Sequence, residues 1–376
     1  MTETEKRLFL DGFVDCKLAV NELLDYCDHK FKKDYTKENF NEDKSMFWES
    51  CLEESKVIGA FNTLKKYFVQ LQFPIVKGIS KTDDYRNATL KGKPKQTQKT
   101  LELKKPNQIT FEIYNSLLSG KIPVLIVPDY SDFNQILCAF SNKNEPKDFP
   151  VSMGACFING INNWHKIEGL KKSYLNDNFS GNWAKHFKEN VLPNPHLFKD
   201  KIIILSSKPY SAVNNKDFNL SEALWTDTSI RIRREHECAH MFTLQYYGHM
   251  ANNIHDEIVA DYAGIVKVLG TFNKNWLLKF MGLEEYPNYR WGGRLQNYQD
   301  PCELSDKAFK GLQVLVKRAV NNISEFDLML EKVKSEEEYI HRIKTICEVD
   351  LITMSSKDGI NALFEKYKSI SNAITV

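Results

Sequence analysis

The sequence predicts an α+β fold that is mostly helical, with a few strands confined to the middle of the chain. Three observations carry this reading. Apolar residues recur at helical spacing over the first 75 residues and again from Ser305 onward. Short apolar, β-branched runs cluster between about residues 108 and 205. Two capped helical segments lie between Thr226 and Gly270. Three regions follow: a helical N-terminal region with a basic loop (1–105), a central region (106–300) and a helical C-terminal lobe (301–376).

The N-terminal region is read as helical because Phe9, Phe13, Ala19, Leu23 and Leu24 repeat on one stretch, and Phe47, Leu52, Val57, Phe61, Leu64 and Phe68 on another. Pro74 and Gly78 break the pattern. The segment from there to Pro106 is poor in apolar residues and carries Lys81, Arg86, Lys91, Lys93, Lys95, Lys99, Lys104 and Lys105, so a mobile, solvated loop is expected. Nucleic acid is not its expected partner. Tyr85 is the one aromatic stacking surface there, and Asp83, Asp84 and Glu102 interrupt the positive run.

From about residue 108 the pattern changes to a helix over Phe111 to Leu118, a strand over Ile122 to Val127 and a helix over Phe133 to Phe140. Further strands are expected at 151–159 and 201–205. Thr226 or Asp227 can then cap a proline-free helix that runs to Gly248 and carries Ile230, Ile232, Ala239, Phe242, Leu244 and Tyr246. Asn252 or Asn253 can cap a second, with Ile254, Ile258, Tyr262, Ile265, Val266 and Leu269 at helical spacing until Gly270.

The first of these helices contains His236-Glu237-Cys238-Ala239-His240. Residues i and i+4 of a helix lie on one face, so the two imidazoles can converge on a single ion, and catalytic zinc takes three protein ligands plus water. Glu237, directly after the first histidine, can lean beside the metal and act as general base. His249, His255, Asp256 and Glu257 compete for the third position, and helix geometry favours Glu257. Asp261, one turn further on, can accept the spare N–H of a ligand histidine and fix its tautomer.

With these residues the chain resembles the zincin metallopeptidases, and within them the gluzincins, which carry HExxH on one helix and ExxxD on the next. Glu257-Ile258-Val259-Ala260-Asp261 supplies the second half. The resemblance covers about residues 226 to 270. It implies zinc as cofactor, His236, His240 and Glu257 as ligands, Glu237 as base and Asp261 as the partner of a ligand histidine. It also implies a zincin-like catalytic region over 106–300, in which a small twisted sheet precedes the HExxH helix. An edge strand of that sheet would pair with an extended peptide; Ala155 to Gly160 can serve, or can equally lie inside the sheet. Metzincins fit less well, because Thr243 and Tyr246 stand where HExxHxxGxxH needs glycine and histidine. The M1 aminopeptidases also differ: Gly154 to Asn159, the segment nearest to their GAMEN stretch, has no acid.

Trp276 to Phe280 reads as helical, and Tyr286 to Tyr298 is dense in hydrogen-bond donors. A zinc peptidase must stabilise an oxyanion, for which Tyr289, Arg290, Arg294 and Tyr298 are the candidates. His29, His165, His186, His196 and His341 stand alone among aromatic or lysine neighbours and read as structural or surface residues.

Composition bounds the partners. The chain has 376 residues, 42% of them hydrophobic, enough for a sizeable core. Its 51 basic and 49 acidic residues leave a net charge of +2, with no field to draw it to nucleic acid or an anionic membrane. Cysteines at 16, 27, 51, 138, 156, 238, 302 and 347 form no CxxC pair and read as reduced, buried thiols. The acidic start, Met1-Thr2-Glu3-Thr4-Glu5, lacks the features of a secretory signal, and no stretch is long and apolar enough to span a bilayer. Cytoplasmic residence is expected. The leading expectation is hydrolysis of a peptide or protein substrate by zinc-activated water. The others are a zinc hydrolase of another amide or ester, and a catalytically silent zincin scaffold that binds a partner.

Overall fold

A computed structural model describes residues 1–31, 45–94, 100–150, 153–178, 180–299 and 303–372. The fold is mostly helical with one four-stranded mixed sheet, an α+β arrangement. The chain divides into two compact units. Unit 1 comprises Met1–Asn39, Ser116–Gly120 and Pro209–Val376, and unit 2 comprises Phe40–Asn115 and Lys121–Lys208.

Unit 1 opens with α1 (Glu3–Asp11) and α2 (Lys17–Tyr26), so the first apolar stretch is two helices broken at Gly12. A reciprocal cap between Thr2 and Glu5 starts α1.

Unit 2 follows with α3 (Ser45–Ile58) and α4 (Ala60–Tyr67), separated at Gly59, whose φ of +86° suits glycine. The expected solvated loop is instead partly helical: α5 (Asp83–Lys91) is capped by Thr82 and buries Tyr85, Ala88 and Thr89. Tyr85 and Ala88 pack with Val69 and Phe73, and this spaced apolar contact outweighs a lysine-rich composition. Lys95 and Lys99 lie outside the described residues.

The sheet is built from β1 (Thr110–Ser116), β2 (Gly120–Val127), β3 (Ala155–Asn162) and β4 (Lys199–Ser206), in the order β1-β2-β4-β3. β2 runs parallel to β4 with Val124 opposite Ile203, and β3 runs antiparallel to it with Phe157 opposite Ile203. The helix expected over Phe111 to Leu118 is therefore corrected to strand β1. Thr110, Phe111, Ile113 and Tyr114 are β-branched or aromatic, and a turn ending at Gly120, φ +70°, returns the chain to pair with β2. β3 stands at the sheet edge, with a register shift between Asn159 and Ile161. The expected strands at 122–127 and 201–205 fall within β2 and β4; of 151–159, residues 151–152 are outside the described residues. Between the strands lie α6 (Tyr130–Ser141), α7 (Trp164–Asp177) and the single turn α8 (Trp183–His186). The core of this unit is Phe68, Leu125, Phe133, Ile136, Ile202, Ile204 and their neighbours.

Unit 1 resumes with α9 (Glu222–Tyr247), α10 (Ile254–Leu269), α11 (Lys274–Met281), α12 (Asp306–Met329), α13 (Glu336–Glu348), α14 (Leu351–Ser355) and α15 (Gly359–Asn372). α9 begins a turn before the expected caps, because the Ser221 hydroxyl accepts from the Leu224 N–H at 3.2 Å. Asn253 caps α10, and Gly248 and Gly270 end the two helices in the left-handed region. Among the described residues no helix is long and apolar enough to cross a membrane.

Helices α9 and α10 meet at Gly264, where a Cβ would sit 2.7 Å from the Ile232 carbonyl oxygen. That oxygen belongs to helix backbone and cannot swing aside. Gly264→Ala is expected to cost about 1–3 kcal/mol in a urea melt, the usual penalty of overpacking. An unchanged midpoint would mean that the helices part freely here.

Candidate metal centre

The site lies within unit 1 and rests on the facing sides of α9 and α10. His236 and His240 stand one turn apart on α9, and Glu257 comes from the first turn of α10. The two Nε2 atoms are 3.1 Å apart. Glu257 Oε2 lies 3.6 Å from His236 Nε2, and its Oε1 lies 3.5 Å from His240 Nε2. Ligand atoms of all three residues thus fall within 4.8 Å of one another, and the cluster can hold a metal ion.

The surroundings decide where the protons sit. His236 Nδ1 is 3.0 Å from Asp261 Oδ1, and the Tyr210 hydroxyl donates to the same oxygen at 2.6 Å. An ionised carboxylate only accepts, so Nδ1 of His236 carries a proton and Nε2 is the nitrogen turned to His240 and Glu257. His240 Nδ1 is 3.3 Å from Asp256 Oδ2, close enough for an ion pair though out of line for a full hydrogen bond. Each histidine therefore has its own acid behind it. Two imidazole nitrogens and a carboxylate converge on one point, an arrangement that can hold a metal ion.

Arg294 supplies part of the compensation. Its Nη2 pairs with Asp261 Oδ2, its Nη1 donates to the Tyr210 oxygen at 2.9 Å, and its Nε lies 3.5 Å from Glu257 Oε2. Burial pushes the Glu257 carboxyl up, but the His240 hydrogen bond and the Arg294 charge outweigh it and hold the group well below the usual carboxylate range. Asp261 behaves likewise, burial being overcome chiefly by Arg294. Burial and then the Glu257 charge push the Tyr298 hydroxyl well above its ordinary value.

Glu237 follows His236 on α9 and is buried at 7% exposure. Of the other expected donors, Arg294 and Tyr298 are joined to the cluster. Tyr289 is tied into its own turn, its hydroxyl donating to Gly293 O and accepting from the Gln296 N–H, and Arg290 pairs with Glu284. The competing histidines point elsewhere: His255 Nε2 donates to Ile346 O at 2.8 Å, and His249 stacks on Phe31. Cys238 is fully buried, and burial raises its thiol pKa.

Two groups of the site carry no clear mark in the sequence. Asp256, one of the four candidates for the third position, instead backs His240. Tyr210 lies outside both motifs. It sits in a turn after β4, where Pro209 O accepts from Arg233 Nη2 at 2.8 Å and the Tyr210 N–H donates to Ser229 Oγ at 3.0 Å. Ser229, Arg233, His236 and His240 share one face of α9, so the same stripe that carries the imidazoles also seats the tyrosine.

Residues 9–358 match the model of a family described as a family of unknown function, DUF7005. The chain belongs to DUF7005. No curated protein and no solved structure matches this DUF7005 chain.

Proposed function

We propose that this chain is a zinc-dependent hydrolase acting on peptide bonds, with a zincin-like catalytic region of the gluzincin kind. The carrying observation is the spacing of the three ligand groups. Ligands at 2.0–2.1 Å in tetrahedral geometry stand about 3.3 Å apart, and the separations here are 3.1, 3.5 and 3.6 Å. Two imidazoles and one carboxylate form a donor set suited to catalytic zinc, whereas magnesium and calcium prefer oxygen throughout.

When bound, zinc supplies Lewis acidity, polarising a carbonyl and acidifying a water molecule. The protein does the rest. Asp261 holds the His236 imidazole with its Nδ1 protonated and its Nε2 turned to the cluster, and Asp256 stands behind His240. Glu237, beside the ligands, takes the proton from the attacking water and passes it to the departing amine, so the proton count balances. Tyr298, next to Glu257, is the hydroxyl available to the developing oxyanion, whereas Arg294 is bound to two acids.

The test has two measurements. Purified wild type is expected to carry about one zinc per chain by elemental analysis, and Glu257→Ala to lose most of it. A diverse peptide library is expected to be cleaved by wild type and spared once a chelator is added. Zinc without cleavage would move the reading to another amide or ester or to a silent scaffold; a chain that takes up no zinc would end it.

A further inference from the structure

We infer that Tyr210 and Arg294 are positioning residues that hold Glu257 and Asp261 in register with the two imidazoles before any metal arrives. The inference rests on the metal reading above and adds residues that no part of the HExxH and ExxxD pattern contains. Tyr210 lies 26 residues before His236 in the chain, and Arg294 lies 33 after Asp261.

The geometry is that of a clamp. Arg294 reaches Asp261 with one terminal nitrogen and Tyr210 with the other, and its buried Nε faces Glu257 Oε2 at 3.5 Å without a full hydrogen bond. One planar guanidinium therefore spans an acid that orients a ligand and an acid that is a ligand. The Tyr210 hydroxyl closes the ring, donating to Asp261 Oδ1 at 2.6 Å and standing 3.0 Å from His236 Nδ1. Two guanidiniums lie near its ring, Arg233 at 5.4 Å and Arg294 at 5.3 Å from the centroid. The turn that carries it is strained, with Ser211 at φ +49° and Ala212 at φ +57°, and Arg294 Nη1 also donates to Ser211 Oγ at 3.3 Å. A backbone held in that region by the same guanidinium is a sign that the placement of Tyr210 is specified.

The sign of the expected effect separates positioning from simple electrostatics. Removing a positive charge from beside a cation site should tighten cation binding by Coulomb's law. Loss of the clamp should weaken it, because the ligands must then be ordered by the metal itself. Zinc affinity is to be measured by chelator competition, together with the visible spectrum of the cobalt-substituted protein, which reads ligand geometry without any turnover. Circular dichroism melts of the metal-free proteins check the fold.

Arg294→Met is expected to weaken zinc binding by about 10–100-fold. Arg294→Lys keeps the charge but loses the planar fork, and is expected to weaken it by roughly tenfold. Tyr210→Phe, which removes one hydroxyl and no charge, should also weaken binding by about tenfold and shift the cobalt spectrum. Variants that bind zinc as tightly as wild type or more tightly, with an unchanged cobalt spectrum, would overturn the clamp. If Arg294→Met does not fold, Tyr210→Phe decides. Wild type that binds neither zinc nor cobalt would overturn the metal reading itself, a result distinct from any variant's.

Discussion

Glu237→Gln is expected to lower peptide cleavage by roughly 10²–10⁴-fold while leaving the zinc content of the protein unchanged. Glutamine keeps the size and shape of the side chain but cannot take a proton, so the change removes one chemical step. The proposed ligands are separate residues. His236 and His240 are backed by Asp261 and Asp256, and Glu257 comes from another helix, so nothing that sets their positions depends on the charge of residue 237. Glu237 is itself buried at 7% exposure, beside His236 in α9. The expected pattern is thus split: Glu257→Ala loses metal and activity together, and Glu237→Gln loses activity alone. Elemental analysis and initial rates on the same preparations read both. A Glu237→Gln enzyme that cleaves as fast as wild type would remove Glu237 from the base role and leave the metal site standing.

The parts of the site that were legible are those that helix geometry alone places. His236 and His240 share a face by spacing, and the cap at Asn253 sets which residues of α10 turn with Glu257 and Asp261. Strand β1 was not legible in the same way. Phe111, Tyr114 and Leu118 also fit a helical repeat, and only pairing with β2 across the turn at Gly120 selects the strand. Helix α5 was hidden by the lysine-rich segment around it, because three buried residues decide the structure and composition averages over them. Tyr210 gave no signal, being one of 16 tyrosines in a turn whose partners lie on another element. From the donor-rich run 286–298, chemistry nominated four side chains and the backbone sorted them. Gly292, at φ +94°, helps turn the chain so that Arg294 and Tyr298 leave a short helical turn toward Glu257, while Tyr289 and Arg290 bond within the bend.

The largest effect on stability is expected from Arg342→Met. Arg342 is fully buried, and its guanidinium donates to Asp327 Oδ1 at 2.8 Å and to Leu330 O at 3.1 Å, with a further pair to Glu338. Asp327 is buried too, accepting from the Tyr262 hydroxyl at 2.5 Å and from the Phe272 N–H at 3.0 Å. This network joins α12 and α13 to α10 at the residue after Asp261, so it bears on how the helix that carries Glu257 is seated. Removing the arginine leaves a carboxylate in the core with neutral donors only, and breaking such a pair costs about 3–5 kcal/mol. Replacing both partners removes the orphaned charge as well. The double variant Asp327→Leu, Arg342→Met is therefore expected to be more stable than the sum of the two single losses allows, by about 1–3 kcal/mol of coupling in urea melts. Additive losses would show that Asp327 relaxes to water when the arginine goes, and a single loss below about 1 kcal/mol would show that the pair is no more than a surface ion pair in its effect.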